Sequence, residues 1–295
     1  MRHCFVPFAV IGIASLNLSC HLIRGPVTPQ PLKVMSFNIR YNNPDDGANA
    51  WPHRKDLVAK MIRFHQADLI GVQEALKDQI NDLSQLLPEF DAIGVGRDDG
   101  REKGEYSGIF YRKNRFALLQ QRTFWLSATP ERPGSLGWDA AITRVCTWGQ
   151  FKDRRNDKIF FLFNTHFDHI GETARLESAK LLLKTIQGLA PSAPVIVTGD
   201  FNAAENSMVY KILTGGAAGE NQSYALRDAR HVSLLPSYGA SWSFHGFGKA
   251  VERPLIDYVF VNNPVKVLRH GIIWEPDPDR YASDHLPVLA EVILE

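Results

Sequence analysis

The chain alternates short apolar runs with amphipathic stretches over most of its length. The short runs are rich in β-branched and aromatic residues, which is typical of strands. Strands are therefore predicted over residues 32–38, 69–73, 107–111, 159–167, 195–198, 256–261 and 287–294. Apolar residues spaced by three and four positions predict helices over 56–65 and 173–189. This many strands with so few helices predicts two packed sheets with helices outside, not a single parallel sheet.

The N-terminal segment has a different pattern. Arg2 gives it a basic start, and residues 5–18 then form an almost wholly apolar run. That run is too short for a comfortable bilayer span and has the proportions of a signal-peptide core. The residues before Cys20 resemble the lipobox of bacterial lipoproteins, although Asn17 fits that pattern poorly. We therefore expect residues 1–19 to be a signal peptide and Cys20 to carry a lipid; the alternative is plain cleavage nearby, with Cys20 lost or incidental.

The rest of the chain reads as a tether followed by one domain. Residues 20–31 contain three prolines, which is typical of an extended linker. No linker or repeat interrupts residues 32–295, which we predict to be a single domain. Hydrophobic residues make up 44% and charged residues 22% of the chain, as in ordinary soluble globular proteins.

Charge and cysteine content narrow the possible functions. Loss of residues 1–19 would remove one basic residue of 33, leaving 32 against 32 acidic residues. Proteins that grip long polynucleotides usually carry a basic excess, so near-neutrality disfavours tight DNA binding, although a local basic patch would suffice for a nuclease. Of the three cysteines, Cys4 lies in the predicted signal peptide and Cys20 at its end. We expect no structural disulfide, and interpret Cys146 as a small buried apolar residue.

Polar residues recur where the predicted strands end. A lone Asp in such a position is usually a turn residue or a helix cap. Several of them from distant parts of the chain can instead converge on one rim, where loops on a rigid scaffold carry function. The residues in question are Asn38, Glu74, His166, Asp168, Asp200, Asn202, Asp257, Asp284 and His285.

The types of these residues suit phosphate chemistry. Carboxylate and amide oxygens are the ligands that hard divalent cations prefer, and no Cys or His cluster with zinc-site spacing competes with them. Phosphoester hydrolysis also needs a positioned water, a base and stabilisation of charge on the phosphoryl oxygens. His166 and His285 can donate hydrogen bonds or transfer protons near neutral pH.

Six motifs in order along the chain resemble those of the endonuclease/exonuclease/phosphatase superfamily. They are MSFN at 35–38, IGVQE at 70–74, NTHFD at 164–168, TGDFN at 198–202, IDYVF at 256–260 and SDHLPV at 283–288. Segments 49–54, 143–148 and 166–169 further resemble exported bacterial members related to the deadenylase-like branch. One such match would be weak evidence, but six in order are specific.

The resemblance implies a fold and a metal site. The fold would be a four-layer α/β sandwich, in which two mixed β-sheets pack face to face with helices outside and the site lies at one rim. Residues 32–295 would form the catalytic domain. Glu74 would bind a catalytic Mg²⁺ or Mn²⁺ ion, assisted by Asn38 and Asp284.

The resemblance also implies roles for the remaining residues. Asp200 would be the candidate base, and with Asn202 it would position the attacking water and the phosphate. Asp257 would hold His285 in one tautomer, and His285 would contact a phosphoryl oxygen and stabilise the transition state. His166 would donate to another phosphate oxygen.

Other residues have two interpretations each. Arg54 and Arg144 could bind a second phosphate or form structural ion pairs. His169 could extend the site, although a solvated loop position is the simpler interpretation, and the charged segment 97–105 reads as a solvated loop. Tryptophans that could stack on a substrate, but that mostly serve packing, are Trp51, Trp125, Trp138, Trp148 and Trp242.

The sequence thus predicts a metal-dependent hydrolase of phosphoesters, a phosphodiesterase or phosphatase outside the cytoplasm. One alternative is an exported endonuclease or 3′–5′ exonuclease acting on DNA or RNA. Another is a non-catalytic binding lipoprotein, which is disfavoured because every expected acidic and histidine position is filled. A basic rim would favour the nuclease, whereas a closed aromatic pocket would favour a small phosphorylated substrate. We expect a monomer in the periplasm or at the cell surface, in contact with a membrane only through a lipid on Cys20.

Overall fold

The computed structural model describes residues 1, 3–4, 31–217, 224–274 and 280–295. The predicted signal-peptide core, Cys20 and nearly all of the tether lie outside the described residues. Within the described ranges, no helix combines the length and apolar character needed to cross a bilayer.

Thirteen strands and five α-helices make up the described part of the chain. The strands are β1 (Leu32–Asn38), β2 (Leu69–Ala75), β3 (Phe90–Ile93), β4 (Tyr106–Arg112), β5 (Phe116–Trp125), β6 (Val145–Asp153), β7 (Ile159–His166), β8 (Val195–Asp200), β9 (Arg227–Asp228), β10 (Tyr238–Gly239), β11 (Asp257–Val261), β12 (Val265–Ile272) and β13 (Val288–Leu294). The helices are α1 (Trp51–Phe64), α2 (Lys77–Leu86), α3 (Glu172–Leu189), α4 (Met208–Thr214) and α5 (Ala229–Val232). A 3₁₀ segment, Pro44–Asn49, precedes α1.

The strands form two mixed sheets, as predicted. The first has seven strands in the order β10-β12-β13-β1-β2-β4-β3, and the second has six in the order β5-β6-β7-β8-β11-β9. In the first sheet β1 runs parallel to β2 and antiparallel to β13. In the second, β8 runs parallel to β7 and antiparallel to β11. The central strands of both sheets therefore bring their C-terminal ends, or in β11 the N-terminal end, to one edge.

Successive side chains of β1 point alternately into two hydrophobic cores. Val34 packs in the core shared with the second sheet, whereas Met35 and Phe37 pack in the core beneath α1 and α2. Successive side chains of a strand point to opposite faces, so a strand covered on both faces is apolar throughout.

Close packing and a buried polar bridge join the sheets near the site. A Cβ atom on Gly71 would lie 2.1 Å from Oγ1 of Thr198 on the opposite sheet, so only glycine fits there. The Gln73 amide donates to Asn164 Oδ1 (2.6 Å), and Asn164 Nδ2 donates to the carbonyls of Val72 and Gly108 (2.8 Å each). Because buried polar groups are costly unless paired, these bonds specify how the sheets face one another.

Most predicted elements are confirmed, with shifted ends. β1 has the predicted bounds, but α1 begins at Trp51 rather than at residue 56. Pro52 lies in the first turn of this helix, where a missing N–H costs nothing. Strands β3, β5, β6, β9, β10 and β12 and helices α2, α4 and α5 were not predicted; in β5, exposed and mostly polar residues occupy the middle. Cys146 is fully buried, as expected.

Candidate active site

Residues from both sheets converge at the edge where the central strands end. Asp200 closes β8, and the strand register places it beside His166 on β7 and opposite Asp257 on β11. Asn38 closes β1 in the first sheet. All four residues are buried. The predicted convergence of distant strand ends is therefore confirmed.

Glu74 owes its orientation to an irregularity in β2. The register between β2 and β4 shifts between Val72 and Ala75, and Glu74 has φ of +61°. A bulge of this kind re-aims a side chain, and a positive φ in a non-glycine residue costs energy that functional sites often tolerate. Glu74 Oε2 accepts a hydrogen bond from the Tyr41 backbone N–H (3.1 Å).

Asn38 links the two sheets through a pair of carboxylates. Its Nδ2 donates to Glu74 Oε1 and to Asp200 Oδ2, each at 3.0 Å, and its Oδ1 accepts from the Arg40 backbone N–H at 3.0 Å. Burial opposes ionisation of Glu74, but His285, this amide and Arg40 together lower the pKa of the carboxyl. Glu74 is therefore a carboxylate anion held at a fixed distance from Asp200.

Asp257 and His285 form a buried pair. His285 Nδ1 lies 2.8 Å from Asp257 Oδ2, and His285 Nε2 lies 3.8 Å from Asp200 Oδ2. Burial lowers the pKa of His285, but the nearby carboxylates of Asp257, Asp200 and Asp284 outweigh it and raise that pKa well above its ordinary value. The ring is thus poised as a proton-bearing donor whose Nε2 faces Asp200.

Asp200 has the environment of a general base. Burial, reinforced by the charge of Asp257, raises the pKa of Asp200 to about 7. Its Oδ1 accepts a hydrogen bond from the Asn202 backbone N–H (3.0 Å). Its Oδ2 is 3.4 Å from His166 Nε2. A carboxylate with a pKa near neutrality can orient a water and accept its proton.

His166 and Asn202 complete this side of the site. Asn202, with φ of +47°, places Nδ2 within 3.1 Å of His166 Nε2 and donates to the Phe167 carbonyl (3.0 Å). Burial, with the positive charges of Arg144 and Arg97, lowers the pKa of His166 well below its ordinary value. His166 is therefore a neutral imidazole, able to donate one proton but not to supply a positive charge.

Arg40, which sequence reasoning did not single out, lies between two predicted metal ligands. Its guanidinium is 3.9 Å from Glu74 Oε2 and 3.9 Å from Asp284 Oδ2, and it pairs with Asp46 at 3.1 Å. Its φ of +56° is again a left-handed conformation. The only sequence signal was its position two residues after Asn38.

The donor set suits a hard divalent cation. Ligand atoms of Glu74, His166 and Asp200 lie within 4.8 Å of one another, and so do those of Asp200, Asp257 and His285. Asp284 belongs to neither group but faces the same cavity. Buried carboxylates close together repel one another unless positive charge compensates them, and oxygen ligands of this kind favour Mg²⁺-like ions.

Most of these side chains line one cavity of about 800 Å³, from which Asp257 is absent. Asp200, His166, His285 and Glu74 line it together with Glu105, Arg144 and His169. The remaining lining residues include Ile142, Ala204, Phe244, Pro254 and Ile256. The cavity is mixed in character, with charges of both signs and apolar patches.

The structure resolves the interpretations of Arg54 and of segment 97–105. Arg54 is fully buried, so binding of a second phosphate is wrong for this residue. The solvated-loop interpretation is wrong for the two ends of the segment, because Arg97 Nη1 donates to Glu105 Oε2 at 2.6 Å and Glu105 lines the cavity. Arg54 donates to the carbonyls of Ile39, Arg40, Asn49 and Ala282.

Solved structures resemble this chain closely. It is 41% identical to an endonuclease/exonuclease/phosphatase from Bacteroides vulgatus, with a TM-score of 0.85 over 90% of this chain and 100% of the other. It is 36% identical to a mannosyl-6-phosphatase from Bacteroides thetaiotaomicron, with a TM-score of 0.81 over 89% of this chain and 100% of that one.

Eukaryotic relatives are more distant. The chain is 26% identical to human nocturnin over 302 residues, which is 90% of this chain but 66% of nocturnin.

Residues 35–285, which contain every predicted site residue, match the endonuclease/exonuclease/phosphatase family. The chain therefore belongs to the endonuclease/exonuclease/phosphatase family, whose members hydrolyse phosphoester bonds.

Proposed function

We propose that this protein is a metal-dependent phosphatase or phosphodiesterase that acts on a small phosphorylated molecule outside the cytoplasm. The observation that carries the proposal is the position of Asp200 Oδ2, which faces the cavity within 4 Å of His166 Nε2, His285 Nε2 and Asn38 Nδ2. A carboxylate ringed by donors from both sheets is arranged to hold a water beside a phosphoryl group.

Separate residues bind the metal ion and activate the water in the proposed reaction. A Mg²⁺ or Mn²⁺ ion held by Glu74, with Asn38 and Asp284 beside it, would act as a Lewis acid on the phosphoryl oxygens when bound. Asp200 orients the attacking water and accepts its proton.

Hydrogen-bond donors around Asp200 bind the phosphate. His285, held by Asp257, donates from Nε2 to a phosphoryl oxygen and stabilises the charge that develops there. Neutral His166 and the Asn202 amide bind a second oxygen. Both sets of donors lie next to Asp200. A phosphate bound to them therefore lies beside the water that Asp200 holds.

The cavity favours a small substrate over a polynucleotide. A nucleic-acid groove needs a run of basic residues and stacking aromatics, whereas this wall sets Arg144 against Glu105 and Arg40 against Glu74 and Asp284. The 36% identity to a mannosyl-6-phosphatase supports the same choice. The nuclease alternative is the second candidate, supported by the 22% identity to the CCR4-Not complex 3′–5′ exoribonuclease subunit Ccr4 of Saccharomyces cerevisiae, over 94% of this chain and 40% of that protein.

A substrate screen with Mg²⁺ and Mn²⁺ tests this proposal. The substrates are sugar phosphates and other phosphomonoesters, phosphodiesters, nucleotides, phospholipids and polynucleotides. We expect the highest kcat/KM on a sugar-sized phosphoester and no turnover in EDTA. Preference for DNA or RNA would establish the nuclease alternative, and no turnover on any class would establish a binding protein.

Export is part of the proposal, supported by the apolar run before Cys20. We propose a periplasmic or cell-surface monomer that contacts the membrane only through a lipid on Cys20. Palmitate labelling and cell fractionation test it. A cytoplasmic protein that retains Met1 would contradict export, and an exported protein without label would leave plain cleavage.

A further inference from the structure

One buried arginine faces the cavity with unused hydrogen-bonding capacity. Arg144 is 4% exposed, and its Nε and Nη1 atoms have no hydrogen-bond partner among the described residues. Its Nη2 lies 3.1 Å from His169 Nδ1, and the residue lines the cavity that contains Asp200. Buried donors without a partner are costly, and in a binding cavity they indicate a ligand that supplies acceptors.

The carboxylates around Arg144 are too far for direct hydrogen bonds. Arg144 Nη1 is 3.9 Å from Glu105 Oε2, and Arg144 Nε is 3.6 Å from Asp168 Oδ1, which has no partner either. Hydrogen bonds between nitrogen and oxygen are about 2.7–3.2 Å long. A hydroxyl that reaches this pair from the cavity can use both groups, because its oxygen accepts from the guanidinium while its proton goes to a carboxylate.

Charge balance decides between a hydroxyl-rich ligand and a second phosphate. Arg97 and Arg144 face Glu105 and Asp168, and Arg97 already pairs with Glu105 at 2.6 Å. The group therefore carries no net positive charge, and a further phosphate would meet the Glu105 carboxylate. A neutral group with several hydroxyls meets both donors and acceptors.

The Asp168 carboxylate keeps Arg144 in place. Asp168 Oδ2 accepts from the backbone N–H groups of Ala141 (3.1 Å), Ile170 (3.0 Å) and Gly171 (2.7 Å). These bonds fix the carboxylate, whose other oxygen faces Arg144. Asp168 is thus a positioning residue for Arg144.

We propose that Arg144 and Glu105 form a subsite that binds the hydroxyl groups of a sugar-like leaving alcohol. The subsite adjoins the phosphate position, because Glu105 and Arg144 line the same cavity as His166 and Asp200. The inference rests on the proposed phosphatase function and deepens it by naming the substrate class. A site built to hydrogen-bond hydroxyls strongly rejects analogues that lack them.

The test compares a hydroxylated substrate with one that has no hydroxyls. Hexose 6-phosphates and phenyl phosphate are assayed with the wild type, Glu105→Gln and Arg144→Met. We expect each variant to lose on the order of 30-fold or more in kcat/KM on the hexose phosphate, a loss at least tenfold larger than its loss on phenyl phosphate. Equal losses on both substrates, or no loss on either, would overturn the inference.

A matched control variant accompanies the kinetic test. Glu102→Gln removes an exposed carboxylate from the same loop, whose partner is Lys77, and should keep the wild-type ratio between the substrates. Glu105→Gln keeps the side-chain shape, so it carries the test if Arg144→Met does not fold.

Ligand-observed NMR with free glucose and mannose separates this inference from the proposed function. Saturation transfer to the hexose in the wild type, lost in Glu105→Gln, supports the subsite even if no phosphoester is hydrolysed. Phenyl phosphate hydrolysis by a wild type that neither binds hexoses nor prefers their phosphates would overturn the subsite and leave the phosphatase intact.

Discussion

His285 Nδ1 lies 2.8 Å from Asp257 Oδ2 in a site where neither side chain is exposed to more than a few per cent. The pair joins the end of the chain to β11, whose Asp257 also lies opposite Asp200 in the sheet ladder. One carboxylate therefore both orients the imidazole and raises the pKa of the base beside it.

We predict that Asp257 and His285 act as a unit. Asp257→Asn can keep an acceptor for the ring but removes the negative charge that favours its protonated form, so it impairs His285 without changing that residue. Asp257→Asn, His285→Gln and the double variant should then lose similar factors in kcat. Fully additive losses in this double-mutant cycle would show that the two residues work independently.

Glu74→Gln should nearly abolish activity and leave the fold intact. The substitution keeps the shape and one of the two acceptor oxygens that Asn38 and Tyr41 use, but removes the negative charge that a hard cation requires. Calorimetric titration with Mg²⁺ and Mn²⁺, beside a melting curve, measures both effects. Glu89→Gln, which removes the half-buried carboxylate that pairs with Arg63, is the control. Wild-type metal affinity in Glu74→Gln would remove this residue from the metal site.

Protein stability should decrease as the pH is lowered below about 6.5 because of His270, a buried histidine that does not line the active-site cavity. Burial, with the nearby charges of Arg230 and His231, lowers the pKa of His270 from 6.5 to about 4. Because the unfolded chain binds this proton more readily, the contribution of neutral His270 is complete above about pH 6.5 and is lost as the pH falls towards 4. The expected slope is at most about 1.4 kcal/mol per pH unit.

Melting curves of the wild type and His270→Asn between pH 4 and pH 7.5 check this expectation. The variant loses the ring that contacts Ser237 Oγ at 2.7 Å, so it should be less stable near neutrality. Its Tm should depend less on pH below 6.5. Parallel profiles for the two proteins would mean that His270 does not titrate as proposed.

The sequence predicted those site residues that lie at the ends of strands. Asn38, His166, Asp200 and Asp257 close or open strands whose apolar patterns were plain, so their convergence followed from two packed sheets. Glu74 was predicted at the end of β2, but the bulge and positive φ that aim it have no signal in the pattern.

Residues in loops and helices were harder to predict. Arg40 and Glu105 follow no periodicity, and Glu105 lies in a charged run where a buried carboxylate looks like a solvated one. Arg54 and Arg144 had the same two interpretations from sequence, yet one bonds four backbone carbonyls and the other faces the cavity. Only the tertiary structure distinguishes them, because the difference lies in partners from distant segments.

The central claim is that Asp200 activates the attacking water, and single-turnover kinetics of Asp200→Asn at saturating metal test it most directly. The variant keeps the shape and the neighbouring phosphate donors but cannot accept a proton. We expect the chemical step to slow by roughly 10²–10⁴, while substrate affinity changes much less and the melting curve stays close to that of the wild type. A folded Asp200→Asn protein with a near-normal single-turnover rate would contradict the account.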